Sequence, residues 1–317
     1  MTRRGKAAPL ICALFLAAAC ATAKKTAPDT APPAINWTAR LAEADTLYAA
    51  GRYTALREAL RIYGEALAAP GGPAGVAERF ARAAIALELR GKELGILSAG
   101  SPVDIAALSV GEPSLSRYAP WLELLAGLPN KIKGSPGIDQ IGGRTFEAHL
   151  DWVSARVPAL DRELEIAART DDLAAALRLA LRTEFSYKFA DKVDPKIYAE
   201  VHPGSRLAAF QAAVSPSFKV NELEALLVLD PEFTDVHYYL GENALLAGRL
   251  LSAERHYLAV EKEIPESLSV LISLAKVAFQ TEETETCLDY NERALALLPT
   301  YRDALLGKGL CLGGLGR

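Results

Sequence analysis

The chain has 317 residues, half of them hydrophobic and 23% charged, so it can bury more than one core or one extended core. Its formal charge of −4 provides no basic excess for neutralising phosphates, which argues against nucleic acid as a partner. The composition fits a secreted, largely helical protein.

Residues 1–19 read as an address. Arg3, Arg4 and Lys6 form a positive n-region, Leu10 to Ala19 an apolar stretch too short for a good membrane span, and Ala17-Ala18-Ala19 a small-residue approach to Cys20. This pattern resembles a bacterial lipoprotein signal peptide. The resemblance implies lipid attachment at Cys20 and, because Ala21 rather than aspartate follows, an anchor on the periplasmic face of the outer membrane. Ordinary secretion and a retained membrane anchor are the competing readings. Removing Arg3, Arg4 and Lys6 with the signal takes the formal charge from −4 to −7. Residues 20–36 are rich in Ala, Thr and Pro and lack helical periodicity. They predict a tether reaching up to roughly 50 Å, at about 3.3 Å per residue.

Residues 37–97 predict paired helices joined at Gly51-Arg52-Tyr53, with Ala59, Tyr63 and Ala66 facing the partner helix, then a break at Pro70-Gly71-Gly72-Pro73 and a long helix from Val76 to Leu94. Residues 98–145 are irregular. Prolines at 102, 113, 120, 129 and 136 confine helices to short pieces such as Ser114 to Leu128, and Asn130 to Arg144 is a glycine-rich loop. That loop matches neither a phosphate-binding nor a dinucleotide fingerprint, leaving a connector or a ligand contact as its readings. Residues 146–205 predict helices through Thr183, the second started by an Asp171-Asp172 cap, and then a linker or bend set by Pro195, Pro203 and Gly204. Residues 206–231 predict two short helices, Arg206 to Val214 and Val220 to Leu229.

Pro231, Pro265 and Pro299 fall at intervals of 34 residues. Within residues 232–265, Leu240 and Gly241, the turn glycine Gly248, and Ala253 and Tyr257 precede the closing Pro265; within residues 266–299, Leu274, Ala275, Ala278, Cys287, Ala294 and Pro299 keep the same frame. Both stretches resemble the tetratricopeptide repeat, a pair of antiparallel helices whose small residues sit where the helices cross. Residues 37–97 then resemble divergent copies, residues 206–231 a degenerate copy, and residues 300–317 the first helix of an incomplete one. The fold expected is all-α: a solenoid of tetratricopeptide-like hairpins interrupted by the Pro/Gly-rich middle. Leu305, Leu306, Leu310 and Leu312 make residues 300–317 apolar. They read either as part of a fragment or as a surface for self-association.

No catalytic set emerges. His149, His202, His237 and His256 lack the spacing of a zinc helix, with His237 at a packing position, and no cofactor motif or nucleophile elbow is present. Cys287 occupies a small crossing position, where a buried thiol is favoured over a disulfide to Cys311. The repeat resemblance implies a concave wall that holds a protein or peptide partner, lined by Asp235, Tyr238, Glu242 and Leu245 in one copy and Ser269, Ile272, Lys276 and Phe279 in the next. The expected function is non-enzymatic: a membrane-anchored assembly or docking scaffold. Two lipoprotein families share the design by resemblance, one supporting β-barrel assembly and one associated with TRAP-type transporters. A small-molecule binding protein, with a pocket built by the irregular middle, is the first rival, and a hydrolase centred on His149 and Asp151 the second.

Overall fold

The computed structural model describes residues 35–97, 113–127, 146–183, 194–215 and 219–316, and every regular element among them is a helix. The signal peptide, Cys20, most of the tether and the loop at 130–144 lie outside the described residues. The chain divides into two units, residues 1–36 and 37–317. Of the first, only Ile35 and Asn36 are among the described residues; all of the helices belong to the second.

Helices α1 (Trp37–Ala50) and α2 (Tyr53–Ala68) form the first pair, turned by Gly51 at φ 67°. Leu56, Ala59, Ile62, Tyr63 and Ala66 recur at helical spacing on α2 and are all buried, which seats it between α1 and α3 (Val76–Leu94). A 3-10 turn at Pro113–Arg117 leads into the short α4 (Ala119–Gly127), and α5 (Phe146–Ala167) follows. The anticipated cap starts α6 (Asp172–Thr183): the Asp171 carboxylate accepts the backbone N–H of Leu173 at 3.0 Å. From Leu173 to Leu181 this helix is almost wholly buried, so the arginine within that stretch needs partners. Arg178 donates to Asp161 at 2.8 Å and to the Tyr198 hydroxyl at 2.6 Å.

The bend expected before residue 206 contains a further helix, α7 (Pro195–Val201). Proline at the first helical position presets φ, and the Asp194 side chain caps the helix by accepting from Lys196 N at 3.0 Å. A proline read as a breaker acts here as a starter. Then come α8 (Arg206–Val214) and α9 (Val220–Leu229), at the expected bounds.

The remaining helices are α10 (Thr234–Leu246), α11 (Leu250–Glu263), α12 (Leu268–Gln280), α13 (Thr284–Leu297) and α14 (Arg302–Gly314). The starts of α10, α12 and α14 are spaced by 34 residues, as are those of α11 and α13, and neighbours in sequence pack against each other. Gly241 shows why the crossing residue is small. A Cβ there would lie 2.7 Å from the Tyr257 ring on α11. One core cluster runs from Tyr53 and Leu94 through Trp121, Leu177 and Phe210 to Tyr257 and Val277, so the early helices and the 34-residue pairs share a single interior.

Candidate functional site

The end of α3 lies against the start of α12. Gly95 closes α3 in the left-handed region at φ 67°, and the Leu94 carbonyl accepts the Ser267 hydroxyl at 2.6 Å. Ser267 also caps α12, accepting from Val270 N at 3.3 Å, so the negative end of one helix meets the positive end of the other. A Cβ on Gly95 would run into Ser269.

Beside this contact lies a buried polar knot. The Arg90 guanidinium donates to the Gly51 carbonyl at 3.1 Å and to Glu93 at 2.7 Å, and lies 3.7 Å from the centre of the Phe210 ring. Gln211 donates to the other oxygen of Glu93. Asp235 stands 3.7 Å from Arg90 and accepts the Tyr53 N–H at 2.9 Å; burial pushes its carboxyl up to about 6, against the pull of Arg90. Further along α10, Glu242 accepts from the Tyr257 hydroxyl at 2.6 Å and from Ser273 at 3.2 Å.

These contacts divide the eight wall positions predicted from sequence. Asp235, Tyr238, Glu242, Ser269 and Ile272 are buried, Leu245 is half-buried, and Lys276 and Phe279 are exposed. The α3 end packs on Ser269, Arg90 and the turn before α2 pack on Asp235, and Tyr257 and Ser273 take up Glu242. Between α12 and α14 the wall stays open as a cleft of about 290 Å³. Ile272, Lys276 and Phe279 share one face of α12, at i, i+4 and i+7; Asp303, Leu306 and Leu310 share one face of α14, at i, i+3 and i+7. Asp303, Leu306 and Leu310 lie 34 residues beyond Ser269, Ile272 and Lys276, so extending the frame by one period locates them in the sequence. Burial raises the Asp303 carboxyl above its ordinary value, while Lys276 and Arg302 oppose the rise. Lys276 is exposed at the rim of this apolar cleft, where its charge acts on Asp303.

Cys287 and Asn291 line the same cleft from α13. The expectation of a free thiol at Cys287 is corrected: its sulfur is joined to Cys311 on α14, with Cα atoms 6.1 Å apart. Two small residues on facing helices leave room for a covalent bridge where two larger apolar side chains would fill the joint.

Two other clefts gather polar groups. In one, Ser205, Asp172 and His202 come together from α6 and the α7–α8 joint. Ser205 donates to Asp172 at 2.7 Å and accepts from Ala208 N as the cap of α8, while His202 Nε2 donates to the Ala168 carbonyl at 2.7 Å. The serine is thus bonded to a carboxylate rather than an imidazole, an arrangement that caps a helix and does not activate a nucleophile. Sequence reasoning missed this grouping because Asp172 lies 30 and 33 positions before the other two. The other cleft contains Arg52, Glu232, His237, Lys262 and Glu263. His237 Nδ1 lies 3.0 Å from His256 Nδ1, one ring donating to the other, and burial lowers both imidazoles, His256 to about 4. No group of three or more His, Cys, Asp or Glu among the described residues is arranged to hold a metal. Asp151 is exposed on α5, and the side chain of His149 lies outside the described residues. No described helix is long and apolar enough to cross a membrane.

No family model matches this chain, and no curated protein or solved structure does.

Proposed function

We propose that this chain is a tetratricopeptide-type repeat lipoprotein, anchored through Cys20 at the periplasmic face of the outer membrane, that docks a segment of a protein partner in the cleft between α12 and α14. The observation that carries this reading is the cleft itself. Equivalent positions on two helices, one 34-residue period apart, form facing walls with Ile272, Phe279, Leu306 and Leu310 as apolar anchors and Lys276 and Asp303 as charges of both signs. Such a surface suits an extended or helical segment with apolar anchors, held by burial and aligned by its charges. The Cys287–Cys311 bridge supports an oxidising compartment, in keeping with the lipoprotein-like leader. The buried α10 positions serve internal packing and are not part of the docking surface.

The test is a membrane-anchored pull-down read by mass spectrometry, comparing the native protein with Cys20→Ser and with Lys276→Glu/Phe279→Ala. Both groove positions are exposed, so the double variant leaves the core intact. A partner held by native protein and lost with the double variant supports docking in the cleft. A partner indifferent to it removes the cleft from the function. If a bound small molecule instead accompanies native protein in native mass spectrometry and leaves with the double variant, the cleft is a ligand pocket of modest size.

A further inference from the structure

We infer that the Cys287–Cys311 disulfide is the clasp that holds α14 in place as the second wall of the cleft, so that the cleft is complete only in a chain oxidised after export. This inference rests on the docking reading and concerns how that same site is assembled.

Three observations carry it. First, α14 has little else among the described residues to hold it. Its buried residues are Ala304 and Cys311, while Leu305, Leu306 and Leu310 are 51%, 57% and 59% exposed. The apolar cluster that includes Tyr301 and Ala304 secures only its start. Beyond Ala304 every described residue except Cys311 is at least partly exposed, and the Lys308–Glu292 ion pair is at the surface. Second, the helix is intrinsically weak. Gly307, Gly309, Gly313 and Gly314 fall within its thirteen residues, and glycine disfavours a helix more than any residue except proline. Third, the joint has an internal counterpart. One period earlier the positions of Cys287 and Cys311 are Ala253 and Val277, both buried in the main core, with Val277 on α12, an apolar helix buried along most of its length. The covalent bond thus stands where apolar packing serves the preceding pair, at a joint whose second helix has little such packing among the described residues.

Asn291 sets the bridge into its surroundings. Its Nδ2 donates to the Cys287 carbonyl at 2.8 Å and lies 3.5 Å from Cys311 Sγ, and a Cβ at Gly307 would collide with its Oδ1. The floor of the cleft, the bridge and the close approach of α14 therefore form one unit. Both sulfurs are buried, so the bond forms before α14 has finished docking. A cysteine thiolate attacks the disulfide of a protein thiol oxidant to give a mixed disulfide. The second cysteine displaces the oxidant as the Cys287–Cys311 bond forms, and the oxidant leaves as a dithiol carrying both electrons and both protons.

The experiment is hydrogen exchange on the full exported chain, with thiols titrated in denaturant, for oxidised native protein, the same protein treated with dithiothreitol, and Cys287→Ala/Cys311→Val. The double variant transplants the preceding joint's pair, so it keeps an apolar filling without the bond. Residues 305–314 are expected to exchange roughly a hundredfold faster in the reduced and the variant chains than in the oxidised one, with α10 and α11 unchanged. Equal protection of α14 in all three, or two free thiols in the exported chain, overturns the clasp. The pull-down separates this from the docking reading. An α14 that opens on reduction beside a partner indifferent to Lys276→Glu/Phe279→Ala keeps the clasp and rejects the docking site. An α14 that stays protected rejects the clasp and leaves the docking site standing.

Discussion

The carboxylate of Asp235 accepts the main-chain N–H of Tyr53 at 2.9 Å, across 182 residues of sequence. This one contact joins the start of α2 to the first turn of α10, and Arg90, 3.7 Å away, shares the carboxylate's charge. Replacing Asp235 with alanine leaves the Tyr53 N–H without its acceptor and Arg90 with Glu93 as its remaining carboxylate. A loss of about 2–3 kcal/mol is expected, because a buried N–H is left without an acceptor and Arg90 keeps only one of its two carboxylates. Urea denaturation of the two proteins measures it; a change under about 0.5 kcal/mol, the size of an ordinary surface substitution, would show that the knot is not what holds the early helices to α10.

Acid acts on a half-buried imidazole and a buried carboxyl in opposite senses. His256, lowered to about 4 by burial and then by His237, Arg255 and Arg249, stays neutral in the folded chain while the unfolded chain takes up a proton near the ordinary value of 6.5. Stability therefore falls as pH drops through that window. Asp235, raised to about 6, binds its proton first in the folded chain, so the stability it contributes at low pH is lost as pH rises through about 6. The two slopes oppose each other between about pH 4 and 6. His256→Asn removes the first slope, and its melting temperature should fall less between pH 7 and pH 4.5 than that of the native chain. Equal falls would assign the acid response to other groups.

The helical pairs were legible because their signals are local: prolines 34 residues apart, Gly241 against Tyr257, and Ala253 and Ala294 at crossings each act within one helical pair or between neighbouring pairs. Coverage of the wall was not legible. Nothing around Asp235 or Ser269 indicates that Tyr53 and Gly95 pack on them, since those contacts depend on how distant helices meet. The same holds for Cys287, whose partner lies 24 residues on, in a helix that the sequence suggested but could not place. Pro195 was misread for a different reason: a proline at the start of a helix and one that ends a helix look alike without the Asp194 cap geometry.

The contact between α3 and α12 can be tested at Gly95. Any side chain there meets Ser269 and must also adopt φ near 67°, a region that costs a non-glycine residue about 1–2 kcal/mol. Gly95→Ala is expected to lose more than that strain alone, about 3 kcal/mol, because the clash adds to it. Ser267→Ala, which removes the hydroxyl on Leu94 and the α12 cap but leaves the space unchanged, should cost about 1 kcal/mol. If the two substitutions are equally mild in denaturant melts, the α3 end is not tightly seated on α12.

The turn between α12 and α13 carries a gain that the chain has not taken. Glu282 sits at φ 64°, the one non-glycine residue in the left-handed region among those described, while Gly248, 34 residues earlier, makes the equivalent turn between α10 and α11 at φ 69°. The backbone thus repeats its geometry where the sequence does not repeat its glycine. Glutamate there is exposed, so its side chain offers little to offset the strain. Glu282→Gly should stabilise the chain by up to about 1 kcal/mol, somewhat reduced by the extra freedom glycine gives the unfolded state. Gly248→Ala should destabilise it by a similar amount, since the same strain is then introduced where it was absent. Thermal melts of the two variants, read as a pair, check the argument: opposite signs confirm a shared turn geometry, whereas a loss of stability in Glu282→Gly would mean that Glu282 holds a contact worth more than the strain it bears.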